Sequence, residues 1–155
     1  MSDVQPRNMI AGRVSVRRAR PPDAERLAEM ERACFRSPQP HLILHVCGFV
    51  DGFLVAESDA DLLGYVLFTP SSSSQARVMS LAVSPDYRRQ GVGTLLMRGM
   101  LDVLRGRGFE SVGLEVRVSN EAAQSLYADL GFQMAGVERG YYDDGEDAYL
   151  MEKNL

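Results

Sequence analysis

The amino-acid sequence predicts an α/β fold of about seven strands and about four helices. Three observations support this prediction. Short apolar runs bounded by glycine, proline or polar residues indicate strands. Longer segments in which apolar residues recur every three or four positions indicate amphipathic helices. These segments follow one another in the order β-α-α-β-β-β-α-β-α-β-β, which interleaves helices with strands.

The N-terminal part of the chain changes character at about residue 13. Residues 1–12 are polar and mixed, and we expect them to form a disordered tail ahead of a single domain at residues 13–155. Val14 and Val16 alternate with other residues and predict the first strand. Two prolines end that strand, and the following Asp23 is a candidate N-terminal cap for the first helix.

The remaining elements follow from the same two periodicities. The first predicted helix runs from Asp23 to about Phe35, and a short second helix follows the loop at 37–40 and ends at about Cys47. Two further helices are predicted over about 91–105 and from about 120 to 130. The further strands are predicted at 53–56, 63–68, 76–83, 111–118, 132–140 and 147–153. Glycine ends each of the two later helices, and Asp144-Gly145 forms the turn of the last hairpin.

Composition excludes several classes of protein. With 155 residues, 45% hydrophobic and 25% charged, the chain has the composition of a soluble globular domain. The net charge of −4 argues against nucleic acid as the main partner. The sequence has no apolar run long enough to span a membrane and no apolar core of a signal peptide. We therefore expect a cytoplasmic protein without a membrane partner.

The cysteines and histidines do not form a metal-binding pattern. Cys34 and Cys47 lack the spacing of a metal or redox motif and are expected to be free thiols. His41 and His45 would share one face of a helix, but no third ligand lies near them in the sequence. We therefore predict no bound metal.

A basic turn broken by glycines joins a predicted strand to a predicted helix at residues 84–94, which read SPDYRRQGVGT. The start of a helix offers unpaired N–H groups and the positive end of a dipole. Glycine lets a ligand approach the backbone closely. Together with arginine charge, these features are typical of a pyrophosphate site. The alternative is a flexible helix start with solvated arginines.

The spacing of this turn is Arg88-x-x-Gly91-x-Gly93. It lacks the third glycine of a dinucleotide fingerprint and the Gly-Lys-Ser/Thr of a P-loop. It resembles the Arg/Gln-x-x-Gly-x-Gly/Ala turn of the GNAT acetyltransferases, which holds the pyrophosphate of acetyl-CoA. The resemblance implies a mixed, strongly twisted sheet with helices on both sides, and acetyl-CoA as co-substrate.

Two further segments extend the resemblance over roughly residues 13–155. Residues 114–120, followed by Tyr127 and by Leu-Gly-Phe at 130–132, resemble the RimI and Ard1 branch of protein N-terminal acetyltransferases. The ending at residues 140–151 resembles the archaeal members in particular. The resemblance implies acetyl transfer to the N-terminal α-amine of a protein or peptide, such as a ribosomal protein.

The resemblance also implies contacts with acetyl-CoA. The pantetheine arm is expected to pair with the backbone of the central strand, whose N–H groups also stabilise an oxyanion. Asn120 is expected to contact the cofactor, and it is equally a candidate helix cap. The expected cofactor-binding residues are Leu81, Ala82, Val83, Arg88, Arg89, Gln90, Gly91, Val92, Gly93, Thr94, Asn120 and Tyr127.

Glu115 and Tyr127 are the expected catalytic residues. Glu115 lies inside an apolar strand, where a carboxylate is costly without a purpose or a partner. It is a candidate general base, or else an outward-facing glutamate paired with Arg77 or Arg117. Tyr127 lies on the apolar stripe of a helix and is a candidate general acid toward the CoA sulfur, or else a core tyrosine.

The resemblance places Phe35, Tyr141 and Tyr142 at the entrance for the peptide substrate. For the two tyrosines, ordinary cross-strand packing in the last hairpin is the alternative. The acidic residues Asp143, Asp144, Glu146 and Asp147 are expected to form mainly a solvated turn, and the attraction of substrate cations is the alternative.

Two departures from the family limit what carries over. Residues 37–40 read SPQP where some archaeal relatives have Pro-Glu-Asn-Tyr, so substrate preference is not implied. Arg77 stands where relatives often have histidine or glutamate, so a second base is not expected. The alternatives are an enzyme for a small-molecule amine or a lysine side chain, and a non-catalytic acyl-CoA-binding module. We expect a monomer or a weak homodimer.

Overall fold

The structure, a computed structural model, describes residues 9–59 and 61–155. The strands are β1 Ser15–Arg18, β2 Phe53–Ser58, β3 Asp61–Pro70, β4 Gln75–Val83, β5 Ser111–Arg117, β6 Gln133–Glu138 and β7 Ala148–Asn154. The helices are α1 Ala24–Cys34, α2 Pro40–Val46, α3 Val92–Gly106 and α4 Glu121–Asp129. Two short 3₁₀ turns lie at Pro21–Asp23 and Pro85–Tyr87.

The seven strands form one mixed sheet in the order β1-β2-β3-β4-β5-β7-β6. Every neighbouring pair is antiparallel except β4 and β5, which are parallel. The predicted fold class is therefore confirmed. Among the described residues, no helix is long and apolar enough to cross a lipid bilayer.

The sheet carries a hydrophobic core on each face. One core is formed by α1 and α2 against β2 and β3, with Leu27, Ile43 and Tyr65 at its centre. The other is formed by α3 and α4 against β2, β3, β4, β5 and β7. Because side chains alternate across a strand, the buried apolar residues of β5 enter the α3 and α4 core, and Glu115 and Arg117 point to the opposite face.

The parallel strands β4 and β5 separate after a short region of pairing. They pair only from Gln75 to Arg77 on β4 and from Ser111 to Gly113 on β5. Beyond these pairs β4 continues along β3 and β5 continues along β7. The sheet therefore has an opening between the carboxyl ends of its two parallel strands, which is where α/β proteins commonly bind ligands.

The N-terminal segment contacts the domain earlier than the sequence predicted. The Ile10 side chain packs against the α3 and α4 core, and its N–H donates to Gln90 Oε1 at 3.1 Å. The carbonyl of Ala11 accepts a hydrogen bond from the Ser58 hydroxyl. Ile10 and Ala11 of the predicted tail thus contact the domain, and residues 1–8 of the predicted tail lie outside the described residues.

Asp23 does not cap α1 through its side chain, contrary to the sequence-based expectation. Its carboxylate instead accepts from the Arg20 N–H at 2.8 Å and pairs with the Arg17 guanidinium at 2.8 Å. These bonds close the 3₁₀ turn that precedes the helix, and the Arg17 contact is the main reason why the pKa of Asp23 is lowered.

Candidate active site

The start of α3 lies at the open end of the sheet and forms a cradle for an anion. Gly91, the N-cap, has φ of +83°, a left-handed conformation that favours glycine, and a Cβ there would meet nothing within 4 Å. Among the described residues, the N–H groups of Val92, Gly93 and Thr94 donate no hydrogen bond, and Leu95 N–H donates to Gly91 O at 3.1 Å. Three free donors at a helix start fit a phosphate group.

Gly93 has a packing role in the same turn. A Cβ at this position would lie 3.2 Å from Leu126 Cδ2, a side chain of α4. The missing side chain therefore lets the start of α3 lie close to α4.

The three polar residues of the turn are held differently. Arg88 Nε donates to the carbonyl of Val83 at 3.2 Å, so its side chain folds back onto the end of β4. Arg89 is exposed, and its backbone is left-handed with φ of +59°. Gln90 holds the N-terminal segment through Ile10. Both arginines are thus exposed, and only the Arg88 side chain is bonded back to the backbone.

The edge of β4 that faces the opening is available for pairing. Leu81, Ala82 and Val83 pair on their other side with Val66, Tyr65 and Gly64 of β3. No strand among the described residues pairs with their second edge. An extended ligand can therefore add to this edge as a further strand would.

Glu115 forms an ion pair at the closed end of the opening. Its Oε1 lies 2.7 Å from Arg77 Nη2, and its side chain is 15% exposed. The same Arg77 nitrogen donates to the Tyr141 hydroxyl at 2.7 Å. Of the two partners that the sequence allowed, the structure selects Arg77. The catalytic role of Glu115 stays a prediction.

Tyr127 lies on α4 and is buried in the core beside the opening. Its ring centroid is 5.9 Å from that of Phe132, and its hydroxyl bonds to no described residue. Burial, with a smaller contribution from Tyr142, raises the pKa of Tyr127 to about 12. The phenol is therefore protonated at neutral pH, as a general acid must be, and its acidic role stays a prediction.

Asn120 is the N-cap of α4, and its side chain accepts from Ala123 N–H at 3.1 Å. The helix-capping role is thus confirmed, and the predicted contact with a cofactor stays a prediction.

Tyr141 and Tyr142 lie in the segment between β6 and β7, outside both strands. The alternative of cross-strand packing is therefore wrong. Their rings meet edge to face with centroids 4.9 Å apart. The Arg117 guanidinium lies 4.0 Å from the centre of the Tyr142 ring, a cation–π contact that fixes this wall of the site.

The acidic turn is exposed at Asp143 and Asp144, as expected of a mainly solvated turn, and two of its carboxylates are also bonded into the site. Arg117 Nη1 lies 2.9 Å from Asp144 Oδ2 and 2.8 Å from Glu146 Oε1. Asp144 also pairs with Arg36, and Glu146 accepts from Ser119 N–H. The Glu146 N–H and Arg117 lower the pKa of Asp144, and Ser119 and Arg117 lower that of Glu146.

Phe35 ends α1 and is half-buried against the α1 and α2 core, at the start of the loop that faces the acidic turn. The loop is anchored by Glu31, a buried residue that the sequence did not single out. Its carboxylate accepts from Gln39 N–H at 3.1 Å and from the Tyr65 hydroxyl. A charged residue on the apolar face of a predicted helix was the available signal.

The described part of the chain contains no group of three His, Cys, Asp or Glu side chains placed to hold a metal ion. Cys34 and Cys47 are free thiols, as the sequence predicted. The Cys34 thiol donates to the Val83 carbonyl, and burial raises its pKa.

Comparison with known proteins agrees with this geometry. The model of the acetyltransferase (GNAT) family matches residues 24–132. The chain is 36% identical over 154 residues to an N-alpha-acetyltransferase of Sulfurisphaera tokodaii, covering 90% of this chain and 92% of that protein. Its fold is similar to that of Ard1 from Thermoplasma volcanium, with a TM-score of 0.86, 28% identity and coverage of 92% and 97% of the two chains.

A second solved structure, the ribosomal-protein-S18-alanine N-acetyltransferase from Escherichia coli, has a TM-score of 0.83 and 28% identity, with 92% and 94% of the chains covered. The resemblance inferred from the three sequence motifs is confirmed: the chain belongs to the GNAT acetyltransferase family.

Proposed function

We propose that this protein transfers an acetyl group from acetyl-CoA to the N-terminal α-amine of a protein or peptide. The observation that carries the proposal is the opening between β4 and β5, which has free helix N–H groups at its wide end and Glu115 near its vertex. The names of the relatives, an N-alpha-acetyltransferase and a ribosomal-protein alanine N-acetyltransferase, support the acceptor class.

The residues present fit acetyl-CoA. The N–H groups of Val92, Gly93 and Thr94 would bind its pyrophosphate, and exposed Arg89 adds positive charge. The unpaired edge of β4 at residues 81–83 would bind the extended pantetheine arm and supply N–H donors to the carbonyl oxygen as it gains charge. The bound cofactor supplies a thioester, whose acetyl carbon bonds to the amine nitrogen as its bond to sulfur breaks.

Proton transfer is assigned to two side chains on opposite faces of β5. Glu115 accepts a proton from the acceptor amine, directly or through water, and in doing so it gives up its ion pair with Arg77. Tyr127 donates its phenolic proton to the departing sulfur. Because an α-amine has a pKa of about 8, a fair fraction is already neutral near pH 7.5, and a modest base suffices.

The acceptor would enter between two walls. Phe35 and the loop held by Glu31 form one, and Tyr141 and Tyr142 form the other. An exposed ion pair between Arg36 and Asp144 connects the two walls. A chain terminus can enter such a slot, whereas a lysine on a folded surface fits poorly.

The proposal is tested by an experiment that determines which nitrogen atom receives the acetyl group. The protein is incubated with acetyl-CoA and a mixture of peptides that have free N-termini and varied first residues, together with lysine, a polyamine and an amino sugar. Tandem mass spectrometry then locates the label, with a reaction lacking protein as control. We expect acetylation at the α-nitrogen of peptides. Labelling of lysine side chains or small amines alone would contradict the proposal.

A further inference from the structure

Arg77 occupies a special position in the sheet. It belongs to the last residue pair that β4 and β5 share, opposite Gly113, so it lies at the vertex of the opening. Its guanidinium extends to the face on which Glu115 and the two hairpin tyrosines lie. Nothing in the proposed chemistry so far requires a cation at this point.

One nitrogen of Arg77 joins two parts of the site. Nη2 lies 2.7 Å from Glu115 Oε1 and donates to Tyr141 Oη at 2.7 Å. The carboxylate comes from β5, and the hydroxyl comes from the segment between β6 and β7. Charge-assisted hydrogen bonds of this kind are shorter and stronger than neutral ones, so the guanidinium sets the distance between these two groups.

Arg77 is not replaceable by the other arginine on this face. Arg117 is bound to Asp144 and Glu146 and lies over the Tyr142 ring. Among the described residues, Glu115 has no ion-pair partner except Arg77. The position of the Glu115 carboxylate therefore depends on one guanidinium.

We infer that Arg77 is a positioning residue for acetyl transfer, which holds the Glu115 carboxylate and the Tyr141 ring in one fixed arrangement at the vertex of the opening. The inference rests on the proposed function, because it gives Glu115 and Tyr141 their roles. Arg77 acts on the acceptor side of the reaction. Its guanidinium bonds to Glu115 and Tyr141, and the hydrogen bonds and ion pairs of the described residues join it to no residue of the turn at 84–94 that would hold the cofactor.

Steady-state kinetics with a free-α-amine peptide test the inference in Arg77→Gln, Tyr141→Phe and the double variant. The Gln side chain loses the charge, and Phe loses only the hydroxyl. We expect Arg77→Gln to lower kcat/KM for the peptide about tenfold or more, the size of effect of a lost charged hydrogen bond, with acetyl-CoA affinity and melting temperature unchanged. Arg77→Lys, which keeps the charge, should retain more activity than Arg77→Gln.

The double variant distinguishes a single positioning contact between Arg77 and Tyr141 from two independent effects of these residues on activity. If both residues act through one contact, Tyr141→Phe costs activity in the wild-type background and little or nothing in Arg77→Gln. Arg105→Gln is the matched control, because Arg105 also pairs with a carboxylate, that of Asp102, but on α3 away from the opening. Additive effects, or wild-type kinetics in Arg77→Gln, would overturn the inference and leave the proposed function standing.

A readout that does not depend on turnover completes the test. In protein labelled with ¹³C-tyrosine, the Tyr141 resonance is identified by its loss in Tyr141→Phe. It should shift in Arg77→Gln and not in Arg105→Gln, and an unshifted resonance would overturn the inference. If the Tyr141 resonance shifts in Arg77→Gln but the wild-type protein acetylates no peptide α-amine, the proposed function is overturned instead. The kinetic comparison would then use the amine that the wild-type protein does acetylate.

Discussion

At the scale of single residues, Tyr127 has an unusual combination of properties. It is 7% exposed, and its hydroxyl bonds to no described residue, although buried phenols usually find a partner. Its raised pKa, about 12, keeps the proton on the oxygen throughout the physiological range. A hydroxyl that bonds to no described residue, on a ring that is itself buried, is consistent with an acceptor supplied by a ligand. The sulfur of CoA is the acceptor that we propose.

Substitution of this one oxygen tests the assignment. Tyr127→Phe should lower kcat by about 10²-fold or more, the usual range for a lost general acid, with a smaller effect on acetyl-CoA affinity. Tyr149→Phe is the control, because Tyr149 packs against the same core from β7 and has no proposed role. Near wild-type turnover in Tyr127→Phe would contradict the role of Tyr127 as general acid.

A site residue could be predicted from the sequence where its role depends on residues next to it in the chain, and not where its role depends on distant residues. The turn from Arg88 to Gly93 was predictable because its glycines, charges and following helix are contiguous in sequence. The anchoring roles of Glu31 and Arg117 were not predicted, because their partners lie on other elements and are fixed only by the packing of α1 and the hairpin. The sequence offered Arg77 and Arg117 as partners of Glu115, and the lateral position of the strands decided between them.

At the scale of elements, α3 begins and ends with structurally similar glycines. Gly91 before the helix has φ of +83°, and Gly108 after it has φ of +79°. A Cβ at either position would meet nothing within 4 Å. Both substitutions therefore strain the backbone to a similar degree, but only Gly91 adjoins the free N–H groups.

This pair gives a matched test of the cofactor site. Gly91→Glu should abolish acetyl-CoA binding, because the side chain places bulk and negative charge where the pyrophosphate would lie. Gly108→Glu should destabilise the fold by a similar amount and leave binding intact. Isothermal titration calorimetry on the folded variants measures both affinities. Wild-type affinity in Gly91→Glu would contradict the pyrophosphate assignment.

The elements themselves were largely predictable. The seven strands and four helices all appear in the predicted order, because each has a clear period of apolar residues. The differences lie at the ends. The last hairpin has strands at Gln133–Glu138 and Ala148–Asn154, shorter on its first side than predicted, because the segment between them is held by side-chain contacts to Arg77 and Arg117.

At the scale of the whole molecule, the strand order and the opening could not be derived from local pattern. The periodicity of β4 and β5 is the same whether the strands pair along their whole length or separate after three residue pairs. Only the resemblance to a family implied the separation. The opening then unites helix starts, a free strand edge and side chains from both faces of the sheet, which are distant in sequence.

The walls of the acceptor slot also come from distant parts of the chain. The loop after α1 is anchored by Glu31, and the segment between β6 and β7 is anchored by Arg77 and Arg117. Arg36 and Asp144 connect the two across 108 positions of sequence. The proposed slot is therefore a property of the assembled fold, and its two walls are the basis of the proposed preference for a chain terminus.

The most direct test of this preference compares two peptides of one sequence that contain a single lysine, one with a free N-terminus and one with a blocked N-terminus. Initial rates are measured with saturating acetyl-CoA near pH 7.5. The free peptide should react about tenfold faster or more, since its α-amine has a pKa of about 8 against about 10.4 for lysine, and since only a terminus enters the slot. Equal rates for the two peptides, or faster turnover of a free polyamine or amino sugar, would contradict the account.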